Sequence, residues 1–356
     1  MNIEDLGYNS TFESERNRLG LAGFSVARVV SEFKEAYRVR NADGEYLAKI
    51  TGKQMFEASS REDYPAVGDW VAITVLDGGR AVIHGILPRQ TMIARKSGKN
   101  ETQVIATNID IAFVVQAVDR DYNLNRFERY FAIAREGGVR PAVILNKTDL
   151  LSDAELEEMV AQLHARLGTI DVVLTSTKND RGLDDLNRFL IGGKTYCFLG
   201  SSGVGKSSLI NRLLGDSAIK TGEISSYSGR GKHVTTGRQM YFLGNGAIVI
   251  DNPGMREVGM TEASHGIDAV FDEITLLSEK CGFADCTHIH EPNCAVLSAL
   301  ETGELDKEKY SNYLTLRKEA EYAGMNSAEK REKDRRFGKF IKKTKRDLKD
   351  LGHKDF

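Results

Sequence analysis

The chain has 356 residues and a mass of 39.5 kDa, more than one ordinary core accommodates, so two or three domains are expected. Apolar residues make up 41% and charged residues 28%, which excludes a mostly disordered chain. No apolar run approaches the roughly eighteen residues of a membrane span, and the acidic, polar start MNIEDLGYNSTFESERNRLG lacks the apolar stretch of a secretory signal, so a cytoplasmic protein without membrane contact is expected.

In chain order, residues 1–20 read as a loosely held leader. From 24 to about 95 come five short β runs, FSVARVV, AYRVR, EYLAKI, WVAITVL and RAVIHGIL, rich in β-branched and aromatic side chains. Asp43-Gly44 and Asp77-Gly78-Gly79 punctuate them as hairpin turns. Five strands in so short a stretch predict a small closed barrel: an OB-fold, the common nucleic-acid-binding form, a barrel that only packs, or one of SH3 type. From about 104 to 262 the texture becomes α/β. IDIAFVV, PAVILN, DVVLTS, TYCFLG and AIVID are apolar runs that fit a sheet covered on both faces. QMYFL and AIVID, separated by Gly244-Asn245-Gly246, form an antiparallel hairpin inside it. From 263 the chain turns helical. Ile267, Val270, Phe271, Ile274 and Leu277 fall on one face of a single predicted helix. The expected units are 1–100 (leader and barrel), 101–262 (α/β) and 263–356 (helical, with a basic tail).

The strongest motif is Gly200-Ser201-Ser202-Gly203-Val204-Gly205-Lys206-Ser207, followed by Ser208. It is GxxxxGK[ST] between the strand TYCFLG and the apolar helix SLINRLL. The glycines let backbone N–H groups curl around phosphate oxygens, and the following helix adds the positive end of its dipole. Lys206 is expected on the β- and γ-phosphates and Ser207 on Mg²⁺. Asn146-Lys147-Thr148-Asp149, after the strand PAVIL, reads as the NKxD guanine motif. The Asp149 carboxylate can accept from guanine N1–H and N2–H₂, and adenine offers neither donor there. Thr175-Ser176-Thr177-Lys178 can supply a backbone N–H to guanine O6, with Ser176 the candidate contact. Asp251-Asn252-Pro253-Gly254 fits DxxG, with Asp251 holding Mg²⁺ through water and the Gly254 N–H on the γ-phosphate. A switch-I threonine, either Thr235 or Thr236, belongs between the P-loop helix and the hairpin. Met255 stands where many GTPases carry a water-orienting glutamine, so slow intrinsic hydrolysis is expected, with His233 as the nearest candidate to help. The order NKxD, P-loop, DxxG is a permuted one.

Cys281-x₄-Cys286-x-His288-x₅-Cys294 supplies three thiolates and an imidazole, a closed tetrahedral Zn²⁺ set suited to a structural site, and His290 competes with His288 as ligand. Cys197, in an apolar strand, is expected in the core. Residues 330–350 carry eleven Lys/Arg against four Asp/Glu, a local +7 on a body of −9, which with Phe337, Phe340 and Ile341 points to an amphipathic helix or an RNA-binding arm. Two rival classes stay open: an RNA-binding scaffold that keeps nucleotide only as a structural ligand, and a P-loop ATPase or small-molecule kinase.

The combination resembles the bacterial ribosome small-subunit-dependent GTPase A family. The resemblance includes Tyr64-Pro-Ala-Val-Gly-Asp-Trp70 and His288-Ile-His-Glu-Pro-Asn-Cys294 and spans nearly the whole chain. It implies an OB-fold barrel, a circularly permuted G domain and a zinc-binding helical domain. It also implies GTP hydrolysis to GDP and phosphate stimulated by the small ribosomal subunit, contact with its rRNA, and release of other assembly factors late in maturation, by a protein expected to be a monomer. Val234 departs from the threonine the family often has after the histidine, which leaves the switch-I threonine open. Asn252 replaces a usual Thr or Ser and is expected to point away from the phosphates.

Overall fold

The structure is a computed structural model that describes residues 2–33, 36–97, 101–119, 122–215, 238–252, 259–260 and 263–352. Strands β1 (Ser25–Glu32), β2 (Tyr37–Arg40), β3 (Glu45–Ile50), β4 (Trp70–Leu76) and β5 (Arg80–Ile86) pair in the order β1-β2-β3-β5-β4, and β4 returns to β1. The ladders are antiparallel except β3–β5, which is parallel. A five-stranded barrel closed in this order is the OB-fold. Gly78 and Gly79, both at φ near +70°, make the β4–β5 turn that only glycine adopts without strain.

Residues 2–20 are not a loose leader. The Asn9 side chain caps helix α1 (Ser10–Arg18) by accepting from Thr11 and Phe12 N–H at 3.0 and 3.2 Å. Leu6 and Phe12 are buried with Val26, Trp70 and Leu87, and Tyr8 meets the Trp70 ring edge-on at 4.8 Å. This second layer explains why the six central residues of β1 are all buried: one face looks into the barrel, the other under the leader and the α/β sheet.

Arg28 on β1 pins these pieces together. It is 1% exposed and donates to the carbonyls of Leu6 (2.5 Å), Gly68 (3.3 Å) and Asn108 (2.9 Å), with its guanidinium 5.6 Å from the Trp70 ring. Burial pulls its pKa down to about 10, so it stays charged at neutral pH. Replacing it with methionine strands the Leu6 and Asn108 carbonyls, whereas Gly68 O keeps the Asn108 side-chain amide at 3.0 Å. The expected loss is about 2–4 kcal/mol in urea unfolding, read through Trp70, the chain's one tryptophan. An unchanged midpoint would mean that those carbonyls find other donors.

After a two-stranded antiparallel ribbon, β6 (Met92–Ser97) and β7 (Glu101–Thr107), the α/β unit begins. Its elements in order are β8 (Ile111–Ala117), α3 (Leu124–Glu136), β9 (Arg140–Asn146), α4 (Asp153–Leu167), β10 (Val172–Leu174), α5 (Leu183–Phe189), β11 (Thr195–Leu199), α6 (Lys206–Leu214), β12 (Gln239–Phe242) and β13 (Ile248–Asp251). The short helix α2 (Gly52–Glu57) lies earlier, between β3 and β4. The strand order is β10-β9-β8-β11-β13-β12, parallel except for the β12–β13 hairpin. The chain moves outward from β8 to β10, then returns to the other side of β8. That reversal places a crevice at the carboxyl ends of β8 and β11, where open α/β sheets bind ligands. β12 also pairs with barrel strand β1 through Ser31 and Gln239, so barrel and sheet are continuous.

The expected single helix over 267–277 is two: α7 (Ser264–Val270) and α8 (Asp272–Ser278), joined at Phe271. The Thr275 hydroxyl donates to the carbonyls of Asp268 and Phe271, both at 3.2 Å, and competes with the backbone ladder there. Ile267, Phe271 and Ile274 remain fully buried despite the break. A Cβ on Gly266 would sit 2.0 Å from Ala132 O, so glycine is what lets α7 lie against α3. Then follow α9 (Ala295–Thr302), α10 (Lys307–Gly324) and α11 (Ser327–Gly352). A buried network ties α10 to the α/β unit: Arg166 holds Glu128 (2.6 Å) and Asp306 (2.9 Å), and Asn312 donates to Glu128 (2.5 Å). Among the described residues no helix is long and apolar enough to cross a membrane.

Candidate functional site: a nucleotide crevice and a separate thiolate cluster

The predicted nucleotide residues with described positions gather at the carboxyl ends of the parallel strands. Asn146 ends β9, Ser176 follows β10, the loop from Gly200 follows β11 and Asp251 ends β13. Gly200 needs its φ of +144° and its lack of a side chain, because a Cβ would sit 2.2 Å from Val115 O of β8.

The NKxD segment and the P-loop touch. Asn146 Nδ2 donates to Val204 O at 2.8 Å, and its Oδ1 accepts from the Thr175 hydroxyl at 3.1 Å. A Cβ on Gly205 would sit 2.2 Å from Asn146 Nδ2, so that glycine makes room for the contact. Thr148 is fully buried, its N–H and hydroxyl both donating to Thr175 O. Lys147 takes a left-handed φ of +63° and reaches Asp119, at the exit of β8, at 3.0 Å. Asp149 Oδ1 accepts the Ser176 hydroxyl at 2.6 Å, and Lys178 Nζ stands 3.5 Å from its Oδ2. The Ser176 hydrogen bond, more than Lys178, holds the Asp149 carboxyl below the usual carboxylate range, so it is an acceptor at neutral pH. Ser176 uses its own backbone N–H on Arg181 O (2.9 Å), so within this geometry its hydroxyl, through Asp149, is what it offers the base.

In the P-loop, Gly203 and Gly205 have φ of +87° and +100°, and Ser202 and Gly203 are exposed. Lys206 is 7% exposed, with its ammonium on the carbonyls of Gly200 and Ser201, each at 2.7 Å. Ser207 lies in the first turn of α6 beside Ser208, and its hydroxyl is 3.3 Å from Asp251 Oδ2. Asp251 is 6% exposed, and its Oδ1 has no partner among the described residues. Burial pushes its carboxyl above the usual range, against the pull of the Lys206 charge. A buried, unsatisfied carboxylate oxygen beside a hydroxyl fits a hydrated Mg²⁺, which Ser207 and Asp251 would hold and which would neutralise phosphate charge there. Next to it, Asn252 turns inward and donates to the sulfur of buried Cys197 at 2.8 Å. His233, Thr235, Thr236, Gly254 and Met255 lie outside the described residues.

One contributor was not foreseen from sequence, Asp119, which receives Lys147, and Thr175, named there only as part of the guanine-side motif, has the further role of orienting Asn146. Position at a strand exit was the available signal, since each stands just past the carboxyl end of a parallel strand.

The thiolate cluster is elsewhere, between α8 and α9. The ligand atoms of Cys281, Cys286, His288 and Cys294 all lie within 4.8 Å of one another. His288 Nδ1 is 3.6 Å from Cys281 Sγ and 3.5 Å from Cys294 Sγ, and the two sulfurs are 3.9 Å apart. Tetrahedral zinc with Zn–S of about 2.3 Å and Zn–N of about 2.0 Å has edges of about 3.8 and 3.5 Å, so the donor set fits Zn²⁺ held by all four residues. His288 is buried and His290 exposed, which decides between them. Glu291 organises the loop by accepting from Thr287, Ile289 and His290 N–H, each at 3.0–3.1 Å.

A family model described as RsgA GTPase matches residues 86–261, the span that carries the nucleotide motifs. The protein named small ribosomal subunit biogenesis GTPase RsgA 2 of Lactiplantibacillus plantarum is 39% identical over 329 residues, 92% of each chain. The protein named small ribosomal subunit biogenesis GTPase RsgA of Opitutus terrae is 40% identical over 337 residues, 91% of each. Among solved structures, YjeQ from Thermotoga maritima superposes with a TM-score of 0.61 at 26% identity, covering 85% of this chain and 99% of that one. YloQ, described as a circularly permuted GTPase, shares the fold with a TM-score of 0.59 at 22% identity over 85% of this chain and 97% of its own. An NKxD segment braced on a P-loop, in permuted order, and likeness to these proteins over 85–92% of the chain lead to one conclusion: the chain is a GTP hydrolase and belongs to the RsgA GTPase family.

Proposed function

We propose that this GTPase acts late in maturation of the small ribosomal subunit. It binds GTP·Mg²⁺, docks on the subunit and its rRNA, hydrolyses GTP as a checkpoint and releases other assembly factors. The observation that carries the reading is the likeness, over more than nine-tenths of both chains, to relatives whose names state small-subunit biogenesis. The division of labour follows the segments: barrel and leader (1–100) on RNA, the permuted unit (101–262) on nucleotide, the helical part (263–356) with its zinc site and basic helix on the subunit. The protein acts in the cytoplasm as a monomer.

In the crevice, Asp149, braced by Ser176, takes the guanine edge, and the Lys147 stem lies along the base. Lys206 and the loop 200–208 take the phosphates, and Ser207 with Asp251 holds the metal. Asp251 leads into Gly254 for the γ-phosphate. Methionine at 255 cannot polarise water, so His233 and the bound subunit supply what it lacks, and Thr235 or Thr236 completes the metal shell. Basal GTP turnover is expected to be slow and to rise strongly with purified small subunits but little with large ones. Equal stimulation by both, or by neither, would overturn the assignment.

A further inference from the structure

One carboxylate at the crevice has a role that neither the phosphates nor the metal explains. Asp119 stands two residues past the end of β8, the strand between the NKxD strand β9 and the P-loop strand β11. A negative charge beside a site for a polyanion opposes binding unless it does something that outweighs the repulsion. What Asp119 does is hold the Lys147 ammonium, at 3.0 Å. The two side chains are 31% and 36% exposed, and ion pairs as open as this add little to folding stability.

Both partners sit on fixed backbone. Lys147, at its left-handed φ of +63°, is locked from either side. Asn146 before it is held by Val204 O and the Thr175 hydroxyl, and Thr148 after it by Thr175 O. On the Asp119 side, Val118 N–H donates to Asn146 O and Tyr122 N–H to Asp119 O, both at 3.0 Å. The fully buried Gln116 side chain accepts from Asn123 N–H at 2.8 Å and donates to Asn123 O at 3.1 Å. The turn that carries Asp119 is therefore tied to the NKxD strand itself. Between these two fixed points the soft part is the flexible four-carbon stem of Lys147, and the ion pair fastens its far end.

We propose that Asp119 is a positioning residue for the guanine subsite. By anchoring the ammonium it holds the Lys147 stem across the crevice as a preformed floor for the base, and it neutralises the lysine charge when the base excludes water. The inference rests on the reading above that this stem lies along the base. Ordering a long side chain before the ligand arrives removes that cost from binding. The gain falls at the base end, so it is the same for GTP and GDP, and the phosphate chemistry does not feel it.

The test measures GTP and GDP affinity of the full-length protein by competition against a fluorescent GDP analogue, with steady-state turnover alongside. Asp119→Ala should weaken GTP and GDP by the same factor, about five- to ten-fold. It should raise KM by as much, since slow hydrolysis makes KM a binding constant, and leave kcat as in wild type. Charge alone predicts the opposite sign, because an anionic nucleotide binds more tightly once a nearby carboxylate is gone. On a Lys147→Ala background the same replacement should weaken neither nucleotide, which is the coupling a double-mutant cycle reads. Should Asp119→Ala melt early, Asp119→Asn, which keeps the shape and drops the charge, reads the same split. Unchanged or tighter binding, equal loss on both backgrounds, or a fall in kcat at unchanged KM overturns the role of Asp119 alone, provided that Lys147→Ala weakens both nucleotides. If Lys147→Ala binds them as wild type does, the placing of the stem against the base falls as well.

Discussion

Asp149→Asn is expected to cost GTP affinity on the order of 10²–10⁴-fold and to transfer preference to xanthosine triphosphate. A carboxylate is an acceptor only, with lone pairs enough for several donors. Here one oxygen already takes the Ser176 hydroxyl at 2.6 Å, and the side chain is 13% exposed, so its orientation is set before the base arrives. Guanine brings N1–H and N2–H₂, two donors in one line, to that edge. An asparagine keeps one acceptor but turns a donor toward the guanine amino group, leaving two facing donors without an acceptor. Buried polar groups left unpaired are costly, which is why such sites discriminate sharply. Xanthine carries a carbonyl where guanine has its amino group, so it pairs with the new amide. Competition binding with GTP, XTP and ATP checks this. A variant that held GTP within a few-fold of wild type would show that Asp149 does not read the base.

The nucleotide crevice was legible in the sequence because its motifs are local and their chemistry is dictated by spacing. What the sequence did not carry is what holds those motifs together across the chain. Asn146 meets Val204, 58 positions further along the chain, and only the missing side chain of Gly205 hints at the approach. The parallel strands were visible because burial on both faces leaves continuous apolar runs. The ribbon β6–β7 was not, since MIARKS and ETQVIAT mix apolar with charged and polar side chains and give no such run. The leader misled for a related reason. Helix α1 buries only Phe12 of its nine residues, and its docking partner Trp70 lies on a barrel strand. Spacing brought the cysteines together but left His288 and His290 open. The left-handed φ of +59° at His288 and its burial settle which ring turns inward.

With zinc on Cys281, Cys286, His288 and Cys294, as their spacing allows, chelation should dismantle the segment from 281 to 294 while sparing the nucleotide site. Little apolar burial holds that loop: Phe283 and Ile289 are 48% and 49% exposed. What would fix it is a metal on the four candidate ligands, together with a few contacts that depend on them. Cys294 caps α9 by accepting the Leu297 N–H at 3.4 Å, and the Tyr310 hydroxyl of α10 donates to His288 O at 2.5 Å. Apparent zinc-binding energies in small structural sites run to about 10–16 kcal/mol; here α8, α9 and α10 pack partly on their own, so only part of that is folding energy. Cys294→Ser is expected to reduce zinc from about one ion per chain to near none and to lower the melting midpoint by on the order of 10 °C. New protease cleavage should fall between Cys281 and Cys294. GTP affinity should stay within about two-fold, because four protein ligands leave no coordination position for substrate and the P-loop and NKxD contacts lie outside the cluster. His290→Ala is the matched control and should retain its zinc and its midpoint. Retention of zinc by Cys294→Ser, or loss of GTP binding in step with the metal, would refute a closed structural site.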